Sequence, residues 1–245
     1  MSKTVILIPS RLSAKRLPGK PLLKINGISI ISQVVRKAKE ADIGDVYVAT
    51  EDKEIIDDVN LNGGKAILTS KEHKTGSDRI YECFEKLNLK DIDYIINLQG
   101  DEPNIDTNDL KHLNKLIDLN DPEVGTMAAK IEDKSKLNDD NVVKVITESQ
   151  ITDKNFPAAL DFKREINKEI TNIYHHIGIY AFKPKILKKI IKLKQTKNEI
   201  KNRLEQLRAM ENRIKINVAL AKFSPIGVDT MEDYLALKKN LEYKS

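Results

Sequence analysis

Three polar loops hold most of the residues whose types and spacing point to chemistry. The first, Ser10-Arg11-Leu12-Ser13-Ala14-Lys15-Arg16-Leu17-Pro18-Gly19-Lys20-Pro21, follows an apolar run and gathers four cations around one glycine. Backbone N–H groups, a nearby helix N-terminus and the cations Arg11, Arg16 and Lys20 suit a triphosphate. Neither G-x-x-x-x-G-K-[ST] nor G-x-G-x-x-G occurs, and a solvated basic loop would read the same way. The second loop is Gln99-Gly100-Asp101-Glu102-Pro103. A carboxylate there can hold Mg²⁺, which binds through one or two carboxylates plus phosphate oxygens; the alternative is a turn that caps the next helix. The third is Gly227-Val228-Asp229-Thr230, where Asp229 or Thr230 would also serve as a helix N-cap and Glu232 or Asp233 would be favoured by the helix dipole.

Two further stretches carry polar groups at useful spacing. Lys74-Thr75-Gly76-Ser77-Asp78-Arg79 offers hydroxyl and guanidinium contacts to a nucleotide, although Ser77 is also a good N-cap. His175 and His176 stand together without Cys or acids at ligand spacing, which argues against zinc; one reads as exposed, the other as a polar liner of a pocket.

These loops need elements to position them. The 245 residues include 40% hydrophobic ones, enough for one large domain with a sizeable core. The formal charge is +5, and only eight of the 42 basic residues are Arg, so the positive balance comes from scattered Lys. With no basic stripe and no interleaved aromatics, nucleic-acid binding is not expected, and the few Arg residues become the informative cations for anionic ligands. No run of about 18 apolar residues occurs, so no membrane insertion is expected. Thr4 to Pro9 lacks a cationic n-region and a cleavage site, so no signal peptide is expected either. The lone Cys83 fits a reducing cytoplasm.

The periodicity predicts strands at Thr4 to Pro9, Asp45 to Thr50, Ala66 to Thr69 and Tyr94 to Leu98. They alternate with helices from Ser29, near Lys53 to Leu61 and near Asp78 to Leu87. Such a rhythm predicts an α/β fold, a mostly parallel sheet covered by helices, with ligands beyond the carboxyl ends of its strands. Past Gly125 the pattern loosens into strand-like runs at Thr126 to Ile131, Val142 to Thr147 and Ile173 to Phe182, with helices near Pro184 to Leu193 and Arg203 to Met210. A strand at Ile214 to Ala221 and a helix from Met231 follow. The reading is a single domain over 1–245, with an inserted lobe at approximately 126–210.

The motifs also carry a resemblance. Ile8-Pro9-Ser10-Arg11, Arg16 to Leu22, Thr75 to Arg79, Asn97 to Pro103, Asn141 to Val145, His176 to Tyr180, Leu204 to Arg208 and Gly227 to Thr230, in this order, resemble the 3-deoxy-manno-octulosonate cytidylyltransferase family over nearly the whole chain. The resemblance implies a Rossmann-like nucleotidyltransferase with a smaller dimerising lobe, working as a cytoplasmic homodimer. It implies Mg²⁺-dependent transfer of CMP from CTP to the anomeric hydroxyl of the eight-carbon acidic sugar 3-deoxy-D-manno-octulosonate (Kdo), with release of pyrophosphate, for lipopolysaccharide synthesis. It puts Pro9, Ser10, Arg11, Lys20, Ser77, Arg79 and Gln99 at the nucleotide, with Arg11, Arg16, Lys20 and Asp101 as the catalytic groups. Asp101 and Asp229 would hold the metal, and Gln99, Arg164, His176, Tyr180 and Glu205 would face the sugar. Ala14 stands where the family commonly has Ser, and Asp161-Phe162-Lys163-Arg164 replaces the usual Tyr-Phe-Ser-Arg, so 8-amino-Kdo or a sialic-acid-like nonulosonate is an alternative acceptor. A nucleotide-binding protein without catalysis is the reading from another class.

Overall fold

A strand buried on both faces reads as an uninterrupted apolar run, and β1 (Thr4–Ser10) is such a strand, with Val5, Ile6, Leu7 and Ile8 fully buried. It belongs to a computed structural model that describes residues 2–13, 16–166, 170–225 and 227–242; Ala14, Lys15 and part of the Asp161 to Ile173 segment therefore lie outside the described residues. The chain divides into two compact units, Lys3–Lys111 with Pro225–Ser245 and Met1–Ser2 with His112–Ser224. The second is wider than the lobe expected at 126–210.

In the first unit a short hairpin, β2 (Lys24–Ile25) and β3 (Ile28–Ser29), leads into α1 (Ile30–Glu40). Ser29 caps that helix through Ser32 N–H, and Ile30, Ile31, Val34, Val35 and Ala38 bury one face at helical spacing. β4 (Gly44–Thr50), α2 (Lys53–Leu61), β5 (Ala66–Leu68), α3 (Gly76–Leu87) and β6 (Tyr94–Asn97) continue the alternation. The strand order is β6-β1-β4-β5, and every pairing is parallel. Thr75 and Asp78 form a reciprocal capping box at the start of α3. α4 (Thr107–Asn120) then carries the chain into the second unit. The expectations above include no helix there, although Leu110, Leu113, Leu116 and Ile117 are spaced for one and are buried.

The second unit contains β7 (Val124–Ala129), β8 (Lys144–Thr147), β9 (Ala159–Lys163), β10 (Ile173–Phe182), α5 (Pro184–Lys192), α6 (Lys197–Asn202), α7 (Gln206–Glu211) and β11 (Ile216–Leu220). β11 runs parallel to β7, whereas the β7-β10, β10-β8 and β8-β9 pairings are antiparallel. The helix expected from Arg203 to Met210 is the shorter α7, and α6 precedes it where no helix was expected. Arg203 takes a left-handed backbone (φ 54) that ends α6 before α7 begins. The chain closes in the first unit with α8 (Met231–Glu242). Among the described residues no helix is long and apolar enough to cross a membrane.

Candidate active site

The carboxyl ends of β1 and β6 open onto a cavity of about 270 Å³ in the first unit. Pro9 and Ser10 line it from the end of β1, Arg11 and Lys20 from the basic loop, and Gln99, Gly100 and Asp101 from the loop after β6. These two loops come close because Gly100 has no side chain; a Cβ there would sit 3.0 Å from the Pro9 carbonyl oxygen. The basic loop is shaped by Gly19, whose positive φ of 72° lets its N–H reach the Leu12 carbonyl at 3.0 Å. It is also pinned by Leu17, which packs with Ile25, Ile30, Val228, Tyr234 and Leu237. Ser10 Oγ is buried beside the cavity without a hydrogen-bond partner among the described residues, a polar atom ready for a ligand.

One ammonium organises the acidic side. Lys20 Nζ meets Asp101 Oδ2 at 2.5 Å and Asp229 Oδ1 at 3.4 Å, while Arg16 pairs with Asp229 Oδ2 at 2.9 Å. The Asp101 carbonyl accepts the Val228 N–H at 3.0 Å, which joins the two acidic loops through backbone. Two carboxylates around one cation make the oxygen donor set that a Mg²⁺ uses together with phosphate oxygens, so the residues fit that ion. No group of three or more His, Cys, Asp or Glu suited to a metal occurs among the described residues. Beside the pair, burial and then the charges of Asp101 and Asp229 push Glu102 up to about 8, against the opposing pull of Lys20. Glu102 Oε2 is buried without a partner among the described residues.

Geometry assigns the cap of α8 to Thr230 rather than Asp229. Thr230 Oγ1 accepts the Asp233 N–H at 3.1 Å and Asp233 Oδ2 accepts the Thr230 N–H at 2.8 Å, a capping box that leaves the Asp229 carboxylate to Lys20 and Arg16. Thr230→Ala is therefore expected to cost about 1 kcal/mol of stability and Asp229→Ala less than about 0.5. Urea denaturation of the two variants checks the order, and a larger loss for Asp229→Ala would contradict it.

Arg79 was expected as a nucleotide contact. It lines the cavity, but its buried guanidinium already pairs with Glu51 and donates to Thr69 Oγ1 at 2.7 Å and the Ser70 carbonyl at 3.2 Å. Ser77 is buried in the first turn of α3 and does not line the cavity, whereas Thr75 and Gly76 do. His73 and Lys74 complete that wall; His73 carries no sequence motif and was not expected there.

In the second unit Arg164 grips three backbone carbonyls, those of Asn202 (2.9 Å), Asp140 (2.7 Å) and Arg203 (3.3 Å), which use three of its five donors. The fully buried Lys144 donates to the Asp139 and Arg164 carbonyls at 2.7 and 2.5 Å, so the same loops are tied twice. His175 is half-buried, and His176 is buried between the rings of Phe162 and Tyr180, with Nε2 3.0 Å from Thr126 Oγ1. The Tyr180 hydroxyl is buried without a partner among the described residues, and burial and the Glu205 charge push it well up. Burial, and then the His175 charge, lower His176 to about 3, below the ordinary 6.5. The folded state thus refuses a proton that the unfolded state accepts. The stability from neutral His176 is present above about pH 6.5 and is lost as pH falls toward 3. His176→Asn is expected to flatten the loss of stability between pH 7 and 5, measured by denaturant titration; an unchanged slope would contradict it.

Comparison with known proteins gives three findings. A family described as Cytidylyltransferase matches residues 5–216. The 3-deoxy-manno-octulosonate cytidylyltransferase of Afipia carboxidovorans is 39% identical over 239 residues, 97% of this chain and 96% of that protein, and that of Thermodesulfovibrio yellowstonii is 38% identical over 249 residues, 97% and 98%. Among solved structures, CMP:2-keto-3-deoxy-manno-octonic acid synthetase complexed with CTP superposes with a TM-score of 0.90 at 33% identity over 100% of both chains. A UDP-glucose pyrophosphorylase complexed with UDP-glucose, at TM-score 0.72 and 16% identity over 100% of both chains, shares the fold.

Proposed function

The chain belongs to the 3-deoxy-manno-octulosonate cytidylyltransferase family, and we infer from that membership that it transfers CMP from CTP to the anomeric hydroxyl of Kdo, giving CMP-Kdo and pyrophosphate. The product serves lipopolysaccharide synthesis. The observation that carries the reading to particular residues is the meeting of Lys20, Asp101 and Asp229 at the rim of the cavity lined by Ser10, Arg11 and Gln99.

The reaction forms a bond from the sugar oxygen to the α-phosphorus and breaks the bond from that phosphorus to the departing pyrophosphate. Negative charge builds on the phosphate oxygens, so fixed positive charge and positioning do most of the work. Arg11, Arg16 and Lys20 bind the triphosphate. Asp101 and Asp229 would hold Mg²⁺, which when bound supplies charge to the phosphate oxygens as a Lewis acid. Lys20, which pairs with both carboxylates and lines the cavity, is placed to meet phosphate oxygens beside them. Ser10 and Gln99 orient the nucleotide. Arg164, His176, Tyr180 and Glu205 are the proposed sugar contacts, with the two spare Arg164 donors matching the sugar carboxylate. Neutral His176 orients rather than moves a proton. The same reading places the protein in the cytoplasm as a homodimer.

The test is pyrophosphate release from CTP and Mg²⁺ with Kdo, 8-amino-Kdo and a sialic acid in parallel. Release with Kdo above the other two is the expected result. Release only with another sugar would move the assignment to that acceptor, and silence with all three would overturn it.

A further inference from the structure

The loop Ser70 to Thr75, between β5 and α3, has no helix or strand of its own, yet its last residues, His73, Lys74 and Thr75, face the cavity together with Gly76. Arg79 holds its beginning, through Thr69 and the Ser70 carbonyl. What holds its far side is a carboxylate on α3 that does not itself line the cavity. Glu82 Oε2 accepts the Ser70 N–H at 2.8 Å and also meets His73 Nε2, while Oε1 pairs with Lys86 Nζ at 2.7 Å. We propose that His73 is a binding residue of the nucleotide site and that Glu82 is the positioning residue that sets it, by closing the 70–75 loop onto α3. This rests on the assignment of the cavity to CTP.

The chemistry supports the division of roles. Burial alone would raise Glu82, but the hydrogen bonds from Lys86, the Ser70 N–H and His73 outweigh it and hold the carboxyl at about 2, ionised at any working pH. An ionised acceptor at Nε2 assigns the ring hydrogen to that nitrogen, as a carboxylate does behind a metal-bound imidazole. Nδ1 is then the atom left for a ligand; it makes no hydrogen bond among the described residues. The His73 and Glu82 side chains are 19% and 24% exposed, sheltered enough for a charged hydrogen bond to fix the ring rather than compete with water. Without Glu82 the imidazole would turn freely, and the Ser70 N–H would lose its acceptor.

The test is calorimetric titration of CTP with Mg²⁺, in the absence of sugar, into the full chain and its His73→Ala, Glu82→Ala and double variants, with melting curves for each. Each single substitution is expected to weaken CTP binding about tenfold, the size of one lost hydrogen bond from a CTP hydroxyl or amino group to the ring. Because both remove the same contact, the double variant should be no more than about twofold weaker than the worse single. In steady state KM for CTP rises while KM for Kdo does not follow, a split that general loosening would not give. Glu82→Gln, which keeps the size and one acceptor, recovers part of the affinity and carries the test if Glu82→Ala does not fold. Wild-type affinity in a folded Glu82 variant, or single effects that multiply to about a hundredfold in the double, would overturn the proposal. A wild-type chain that binds no CTP would instead overturn the cavity assignment itself.

Discussion

Asp101→Asn is expected to lower turnover about a thousandfold while CTP affinity changes by less than about threefold and the melting temperature barely moves. The substitution removes one negative charge and no volume. The backbone link that carries the loop, from Val228 N–H to the Asp101 carbonyl, does not involve the side chain. The ion pair that is lost, Lys20 with Asp101, has one partner 31% exposed, so its contribution to stability is about 0–1 kcal/mol. Lys20 keeps Asp229 at 3.4 Å and Arg16 keeps the same carboxylate at 2.9 Å. What the enzyme loses is half of the oxygen pair that would hold the cation, and with it charge stabilisation that matters most in the transition state. Steady-state kinetics beside CTP calorimetry separate the two effects. A variant with turnover within tenfold of wild type would contradict the metal-holding role proposed for Asp101.

The second large effect concerns folding. Arg208 and Glu199 form an ion pair whose side chains are each only 4% exposed, with Arg208 Nε donating to Glu199 Oε2 at 2.9 Å and Gln195 and the Thr196 N–H completing the carboxylate's partners. Arg208→Ala leaves a buried carboxylate short of its cation, a change that costs about 3–5 kcal/mol. For a chain of this size that lowers the melting temperature by about 6–20 °C. The pair joins α6 to α7 around the left-handed Arg203, and Glu205 lies in the same turn, so KM for Kdo should rise as well. Replacing both partners by apolar residues, Glu199→Leu with Arg208→Met, should recover most of the lost stability. Thermal unfolding followed by circular dichroism decides; an Arg208→Ala variant that melts within about 1 °C of wild type would contradict the account.

Much of the first unit was legible in the sequence because its signals are local. A buried strand is an apolar run and a surface helix repeats near 3.6 residues, so β1 and α2 fall where expected, α2 at Lys53–Leu61. The three loops stood out because ligand loops follow strand ends in such sheets. Contacts between distant residues left no trace in spacing. Arg79 was visible as a cation, but not its partner Glu51, 28 residues away. Asp229 and Thr230 were equivalent as caps until the Asp233 carboxylate chose Thr230. Arg164 was visible as a lone guanidinium, whereas the three carbonyls it binds come from residues 24 to 39 positions away. In the second unit the helix break at Arg203 was hidden, since a left-handed backbone is unusual for Arg and no glycine marks it. His73 looked like an isolated histidine because the carboxylate that fixes it lies nine residues on, across the start of a helix.

The central claim is that the cavity at the ends of β1 and β6 hands the α-phosphate of CTP to an acidic sugar. Phosphorus NMR of the purified chain with CTP, Mg²⁺ and Kdo tests it most directly, because it distinguishes transfer from hydrolysis in one spectrum. The account predicts that the three CTP resonances give way to one phosphodiester signal and an equal amount of pyrophosphate, with no orthophosphate growing in. An unchanged CTP spectrum from a folded protein, or conversion to CDP and orthophosphate independent of the sugar, would contradict it.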